Sequence, residues 1–441
     1  MKSLQDITTR IGDGLHGTPK YDDSGDYYFI NGNNLSQDKI TLKKETRRVS
    51  KEEYLKYKKD LNDRTLLVSI NGTLGNFAFY NNEKVMLGKS ACYLNLIDDV
   101  DKEYIGYLLK NRHFQKYIDS NATGTTIKNV SLQTIRSYEF ELPPKKNQQD
   151  VSNFLSSLDQ KIKLNKKMNE NLEEIAKTLF KSWFIDFDPV RAKAEGRSTG
   201  LSKEISDLFP DSFEDSELGE IPKGWKIKDI KDVCNTTDYV ANGSFKTLKD
   251  NVKRVDSNVK DSAILVRVTD HNSNWNGEFK YIDESSYNFL KKSKLFPGDI
   301  VICNVADVGK CFMVPDLGRK MSLGPNSILC KDFKEFETVS KEYFFYFINT
   351  PGTQNLLSSI SSGSVQNKFN KTQFRSLQML VPSKKLIQSF DEVCKNIIEM
   401  KDLKNKENQI LTDLRDTLLP KLISGELRIP DVEKLVDEAR V

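Results

Sequence analysis

The chain is poor in the residues that chemistry most often uses. Its 441 residues include only six cysteines and three histidines. Cys92, Cys234, Cys303, Cys311, Cys330 and Cys394 are scattered, and none forms a Cys-x-x-Cys pair. That pattern, with so little histidine, argues against a zinc site and for free thiols in a reducing cytosol. No run of about 18 apolar residues occurs, so no membrane span is expected. The opening MKSLQDITTRIGDG has no apolar signal-peptide core. Charge of one sign is lacking too: 67 Lys plus Arg against 63 Asp plus Glu leave +4. This excludes an extreme basic coat for nucleic acid and an acidic, disordered solvating chain. It leaves room for a basic patch balanced elsewhere.

Catalytic patterns are missing as well. A nucleic-acid methyltransferase needs an Asn/Asp-Pro-Pro-aromatic tetrapeptide and a Gly-rich cofactor turn, and neither is present. No Gly-x-x-x-x-Gly-Lys-Ser/Thr phosphate loop exists. Pro430-Asp431 with Glu433 and Lys434 is superficially like a nuclease carboxylate cluster, but its spacing is too short to draw groups from separate strands. No Ser/His/Asp arrangement is legible, and His271 reads as a surface or DNA-facing residue. We therefore expect no catalytic residue, no metal site and no cofactor in this chain. A polypeptide of this size without a catalytic constellation reads as a binding and assembly component.

What the chain does have is an internal repeat. KEYIGYLLKN from Lys102 falls on KEYFFYFINT from Lys341, an offset of 239 residues. The same offset lays Gln115 on Gln354, Gly124 on Gly363, Arg136 on Arg375, Pro143 on Pro382 and Leu172 on Leu411. No gap is needed from Lys102 to Phe187. Upstream, LVSINGTLGNFAF from Leu67 resembles IVICNVADVGKCFMV from Ile300, with insertions. The chain is two copies of one unit, each a globular part followed by a helix.

Within a unit, LLVSI, FAFY, ACYLNLI, AILVRV, IVICNV and FMV read as short strands between Gly, Asn and Asp turns. KEYIGYLLKNRHFQKYI reads as one helix, and VSLQTI and FELP as extended chain. After Pro143-Pro144 comes a seven-residue period: Leu155, Leu158, Ile162, Asn165, Asn169, Leu172, Ala176, Leu179, Trp183. Its two asparagines mark either a register-fixing polar pair or a gap where helices diverge. The second copy is less strict. Its best stripe runs through Phe390, Val393, Ile397, Met400, Leu403, Ile410, Leu411, Leu414, Leu418 and Leu422, with Lys404, Arg415 and Lys421 on other faces. Leu172, Leu179, Leu411 and Leu418 are expected in the seam. Each helix is ~50–55 Å long at 1.5 Å per residue. Such helices cannot bury their stripes alone, so antiparallel pairing with each other is expected. That gives pseudo-twofold symmetry with the globular parts held apart at opposite ends.

The expected fold is thus α+β: two similar mixed α/β domains and two long antiparallel coiled-coil helices. The boundaries read as domain 1 over residues 1–144, a central helix over 145–187, an acidic linker over 188–220, domain 2 over 221–383, a distal helix over 384–430 and a tail over 431–441. The charge divides unevenly among them. Residues 1–144 carry +2, residues 184–220 carry −6 and residues 221–383 carry +6. An acidic linker masks a mildly basic remainder, which suggests nucleic acid only weakly.

This order of globular unit, helix, globular unit, helix resembles the specificity (S) subunit of type I restriction–modification systems. GTTIKNVSLQTIRSYEFELPP from Gly124 is similar to the family's end of a target-recognition domain. LEEIAKTLFKSWFIDFDPVRAKAEG from Leu172 is similar to its central region, and LGEIPKGWKIKDI from Leu218 to its entry into the second recognition domain. The chain departs from the pattern by starting its first domain almost at Met1, and by ending its second copy in KLISGELRI rather than KSWFIDF. The resemblance implies a non-catalytic, cytoplasmic, bacterial or archaeal protein serving DNA methylation and defence against foreign DNA. Each recognition domain would read half of a split, asymmetric double-stranded target, with the helices as a ruler. A rod of ~50 Å spans roughly 15 base pairs, about a turn or more of duplex. Two methyltransferase (M) and two restriction/translocase (R) subunits would be partners, carrying the S-adenosylmethionine, ATP and Mg. Two alternatives are a DNA methyltransferase with its own recognition domain and a coiled-coil adaptor that binds no DNA.

Direct readout favours Asn and Gln on adenine and Arg and Lys on guanine, from polar loops in the major groove. Phosphate contacts use Lys, Arg, Ser, Thr and backbone N–H. In the first copy the candidates are Lys20, Tyr21, Asn33, Asn71, Lys89, Thr125, Thr126, Lys128 and Asn129. In the second they are Lys246, Arg267, Asn274, Lys310, Asn326, Ser364, Gln366, Asn367 and Lys368. Phe180, Trp183 and Phe184 exceed what a two-helix seam buries. They are expected to face a partner, the M subunit, or to pack a domain.

Overall fold

The fold comes from a computed structural model that describes residues 1–36, 38–275, 277–333, 337–362 and 367–432. The chain divides into two compact units, Met1–Lys167 with Lys404–Val441, and Met168–Leu403. Each unit holds one globular lobe and part of both long helices, which run Lys145–Phe184 and Lys384–Ile423. No helix among the described residues is long and apolar enough to cross a membrane.

The lobe of the first unit is built on a four-stranded sheet. Its order is Thr8–Asp13, Ala91–Leu96, Thr65–Ser69, Phe77–Phe79, all antiparallel. The second lobe repeats it as Asn235–Asp238, Ser327–Lys331, Ile300–Cys303, Cys311–Met313, in the same order and sense. The strands are apolar on consecutive residues because both faces of the sheet are covered. Leu66, Val68, Cys92 and Leu94 enter one core, while Leu67, Ala78, Ala91 and Tyr93 enter another. Ile300, Ile302, Ile328 and Cys330 split from Val301, Phe312 and Leu329 in the same way. A parallel pair completes each lobe: Tyr27–Ile30 on Val85–Leu87, and Ala263–Val266 on Met321–Leu323.

Two local expectations change. The expected single helix after Lys102 is two, Lys102–Lys110 and Arg112–Ser120. Asn111 breaks it: at φ −60°, ψ 139° it leaves the helical region, and its side-chain oxygen caps the next helix by accepting from His113 N. VSLQTI is not extended. Ser131 Oγ accepts from Thr134 N at 3.0 Å and starts the helix Leu132–Arg136. A hydroxyl cap can outweigh the β-branched neighbours.

Both units contain an antiparallel crossing of the long helices. In the first, Asp159 meets Arg415 at 2.7 Å, Asn165 meets Asn408 at 3.0 Å, and Lys161 meets Glu407 at 3.3 Å. Asn165 and Asn408 are buried, so the polar pair is a contact within the seam and not a gap. In the second, Lys401 bonds Glu173 at 2.5 Å beside Ala176, Ile397 and Cys394.

The seam of the distal helix is stricter than its sequence suggests. Phe390, Cys394, Ile397, Lys401, Lys404, Asn408, Leu411, Arg415, Leu418 and Leu422 are all buried or half-buried, in alternating steps of four and three. Lys404 and Arg415 therefore belong to the seam. Leu403 and Ile410 are instead 64% and 66% exposed. The apolar stripe misleads because ion pairs with Asp159 and Glu407 satisfy the basic seam residues.

The acidic stretch is folded. It forms helices Asp188–Ala194 and Lys203–Ser206 and a hairpin of Phe213–Ser216 with Gly219–Pro222. Val190 and Phe209 join the core of the second unit. The expected tail lies outside the described residues from 433 onward.

Candidate nucleic-acid interface

The fold brings four loops of each lobe together by the same backbone bonds. In the first unit Gly88 N donates to Ile30 O at 2.8 Å and Ile70 N to Ser90 O at 3.1 Å. Gly72 N donates to Lys128 O at 3.0 Å and Val130 N to Ile70 O at 2.9 Å. In the second unit the counterparts are Gly324 N to Val266 O at 2.7 Å, Asn304 N to Asn326 O at 3.2 Å, Ala306 N to Asn367 O at 3.1 Å and Phe369 N to Asn304 O at 3.2 Å. Gly72 and Ala306 both sit at positive φ, +77° and +69°. A short bridge closes the last loop in each, Thr123 with Asn129 and Ser362 with Lys368.

The frame is common and the side chains on it differ. Asn71 stands where the second lobe has Val305, Lys128 where it has Asn367, and Asn129 where it has Lys368. In the first lobe Asn33, Lys89, Thr125, Thr126, Lys128 and Asn129 are exposed, while Asn71 is half-buried and donates from Nδ2 to Asn129 Oδ1 at 3.3 Å. Lys128 is loosely paired with Asp119 at 3.4 Å. Ser90 ties two loops: its hydroxyl donates to Asn31 Oδ1 at 2.8 Å and accepts from Gly32 N at 3.0 Å.

In the second lobe Asn326, Asn367, Lys368, Asn274 and Lys310 are exposed. Lys310 Nζ donates to Asn272 Oδ1 at 2.6 Å, and Asn272 Nδ2 donates to Asp307 Oδ2 at 3.0 Å. That joins the turn of Asn274 to the hairpin of Lys310. His271 is half-buried rather than freely exposed, its ring stacked on Phe312 at 4.5 Å. Burial, helped by Lys310, holds its imidazole below the ordinary pKa, so it is neutral.

Other candidates stand apart. Lys20 and Tyr21 belong to a different patch: Lys20 N donates to Glu53 Oε1 at 2.9 Å, and Arg47 stacks over the Tyr21 ring at 4.5 Å. Lys246 is on the helix capped by Ser244, beside the 80% exposed Phe245. Arg267 is engaged within the lobe, its guanidinium donating to the buried Asp270 at 2.5 Å and to Glu278 O at 3.1 Å. Its five donors are thereby largely committed to the fold. Ser364 and Gln366 lie outside the described residues.

Phe180, Trp183 and Phe184 pack a domain, the second of the two roles expected for them. They are 1%, 3% and 2% exposed. Phe180 and Phe184 pack on Tyr343 and Phe390 at 4.9–5.5 Å between ring centroids, and Trp183 on Phe209 at 5.3 Å. A two-helix seam does not bury three large rings, but a lobe packed onto that seam does. Among the described residues no cluster of three or more His, Cys, Asp or Glu is placed to hold a metal.

Residues 2–174 match the family described as type I restriction modification DNA specificity domain. The chain is 27% identical over 383 residues to the type I restriction enzyme HindI specificity subunit of Haemophilus influenzae, covering 76% of each. Along most of its length the chain is similar to type I specificity subunits. It is also 25% identical to the MjaIX specificity subunit of Methanocaldococcus jannaschii, over 83% of this chain and 78% of that one. Its fold is similar to the crystal structure of the S subunit from M. genitalium, with a TM-score of 0.50 at 16% identity over 96% of this chain and 95% of that one. The likeness supports DNA sequence specificity as the role of the chain.

Proposed function

We propose that this chain is a specificity subunit that reads an asymmetric bipartite duplex, one half-site per lobe. The observation that carries the reading is the duplicated frame bearing different side chains. Equal backbones deliver readers to equal depths, and unequal side chains there select unequal bases. In the first half-site Asn71, Asn129 and Lys128 take the base edges, with Thr125, Thr126, Asn33 and Lys89 beside them on bases or phosphates. In the second Asn326, Asn367, Asn274, Lys310 and Lys368 act together, and Ser364 and Gln366, outside the described residues, are further candidates by sequence. Lys20, Tyr21 and Lys246 lie off the frames and suit phosphate contacts, which position without specifying.

The chain supplies no chemistry. Two M and two R subunits dock on it, bringing S-adenosylmethionine, ATP and Mg, and the long helices are their scaffold. A self-contained methyltransferase is disfavoured by the missing cofactor motifs, and a DNA-free adaptor by the two polar frames.

Methylome sequencing of cells with and without the chain is the test. Loss of one bipartite adenine motif is the expected result; an unchanged methylome overturns the reading. Lys128→Ala should weaken binding of all duplexes roughly uniformly and lower the salt slope by about one charge.

A further inference from the structure

Each four-loop frame contains one grip that is not a reader. Gln115 Nε2 donates to Gly75 O at 3.2 Å and to Leu109 O at 2.7 Å. Gln354 Nε2 donates to Gly309 O at 2.9 Å and to Ile348 O at 2.8 Å. Leu109 and Ile348 lie in the last turns of the helices Lys102–Lys110 and Lys341–Ile348, whose final carbonyls have no helical partner. Gly75 and Gly309 end the hairpin loops that carry Asn71 and Lys310. Both sit at positive φ, +75° and +84°, and both donate their N–H back to the strand, to Ser69 O at 3.0 Å and Cys303 O at 2.9 Å.

Each glycine is therefore held at both its amide and its carbonyl. A Cβ on either would come 2.5–2.6 Å from the glutamine's Oε1. Two carbonyl acceptors fix which end of the amide is nitrogen, since only the NH₂ group carries two donors. Both glutamines are only half-buried, and each has its amide nitrogen turned inward onto these carbonyls.

We propose that Gln115 and Gln354 are positioning residues, each locking the reading loops of its own lobe to a helix end. This rests on the bipartite reading above. The consequence is specific. A base-edge contact discriminates by ~1–3 kcal/mol only when its two bonds align, whereas a lysine reaches a phosphate from many positions. Loosening the grip costs discrimination at one half-site before it costs affinity.

The test uses the full chain with its methyltransferase subunits. Wild type first selects duplexes from a randomised pool. Variants then compete the selected duplex against versions scrambled in one half. Gln115→Glu keeps the shape and removes both donors. It should lower discrimination in one half by roughly 5- to 100-fold and leave the other half intact. Gln354→Glu should do the reverse. Gly75→Ala should reproduce Gln115→Glu, and the uncharged Gln115→Met carries the test if the acid does not fold. Uniform weakening for all duplexes, or full discrimination kept in both halves, overturns the proposal while the bipartite reading stands. A wild type that selects no bipartite duplex overturns that reading, and this proposal with it.

Discussion

The two units fold their lobes alike but weight polar and aromatic contacts differently in their parts of the helix pair. The first crossing adds polar pairs, Asp159 with Arg415, Asn165 with Asn408 and Lys161 with Glu407, to a seam that also buries Leu155, Leu418 and Leu422. The second is aromatic: Phe180, Trp183 and Phe184 against Phe390, with Lys401 and Glu173 above them. Apolar burial stabilises without fixing register, and polar pairs fix register at some cost in stability. One crossing thus anchors and the other aligns. The difference predicts unequal responses to equivalent damage.

The largest effect belongs to the aromatic crossing. Phe180→Ala should cost about 3–5 kcal/mol, because the side chain is fully buried among rings that cannot close over the cavity. Hydrogen exchange should place the loss in residues 168–403. Protection lost equally in both units would break the contrast.

Second is the charge at Asp159. Burial raises its pKa, but Lys110, Arg415 and the Tyr107 hydroxyl at 2.8 Å outweigh that and hold the carboxyl below its usual range. Its stability contribution is present above the ordinary carboxylate pKa and is lost as pH falls through the depressed value. Arg415→Ala should cost about 2 kcal/mol at neutral pH, since it removes one charged donor from a half-buried anion and leaves it Lys110 and the Tyr107 hydroxyl. Asp159→Leu with Arg415→Met should cost less than either single change; a larger loss in the double variant contradicts the account.

Third is the asparagine pair. Asn165 Oδ1 is buried with no partner among the described residues, so the pair is a weak stabiliser. Replacing Asn165 and Asn408 together by leucine should raise the unfolding free energy by about 1 kcal/mol or more, and the denaturation midpoint with it. It should also loosen register, seen as broadened spin-label distances across the first crossing. A midpoint that falls would show the pair to be more than a register device.

Much of this was legible in the sequence. The repeat offset of 239, the strand runs and the heptad of the central helix all reappear in the fold. Two things hid. The distal seam is hidden because a hydrophobic count cannot see that Arg415 is neutralised by Asp159, far along the chain, and Lys404 by Glu407 one turn on. The frames were only partly visible, because the hydrogen bonds that assemble them are backbone bonds, which carry no residue signature. Gln115 and Gln354 showed a trace of their role, since they recur at the repeat offset. Phe180, Trp183 and Phe184 were visible as excess apolar surface, but only the packed lobe reveals what covers them.

The smallest effect compares buried carboxylates. Asp159 in the first unit has cations, while Asp391 in the second has Ser340 Oγ donating at 2.7 Å and Glu342 nearby. Burial pushes Asp391 up to about 6, with Glu342 adding to it and Ser340 opposing. A carboxyl raised on folding favours the folded state while protonated, so stability falls as pH rises from the unfolded value, about 4, through about 6. Asp391→Asn should therefore stabilise the second unit at pH 7.5, by on the order of 1 kcal/mol after allowing for partial exposure. It should change little at pH 4, where the native side chain is already neutral. Denaturation followed by hydrogen exchange at both pH values separates the cases. An equal gain at both would assign the effect to packing rather than to an uncompensated charge, and the contrast with Asp159 would lose its electrostatic basis.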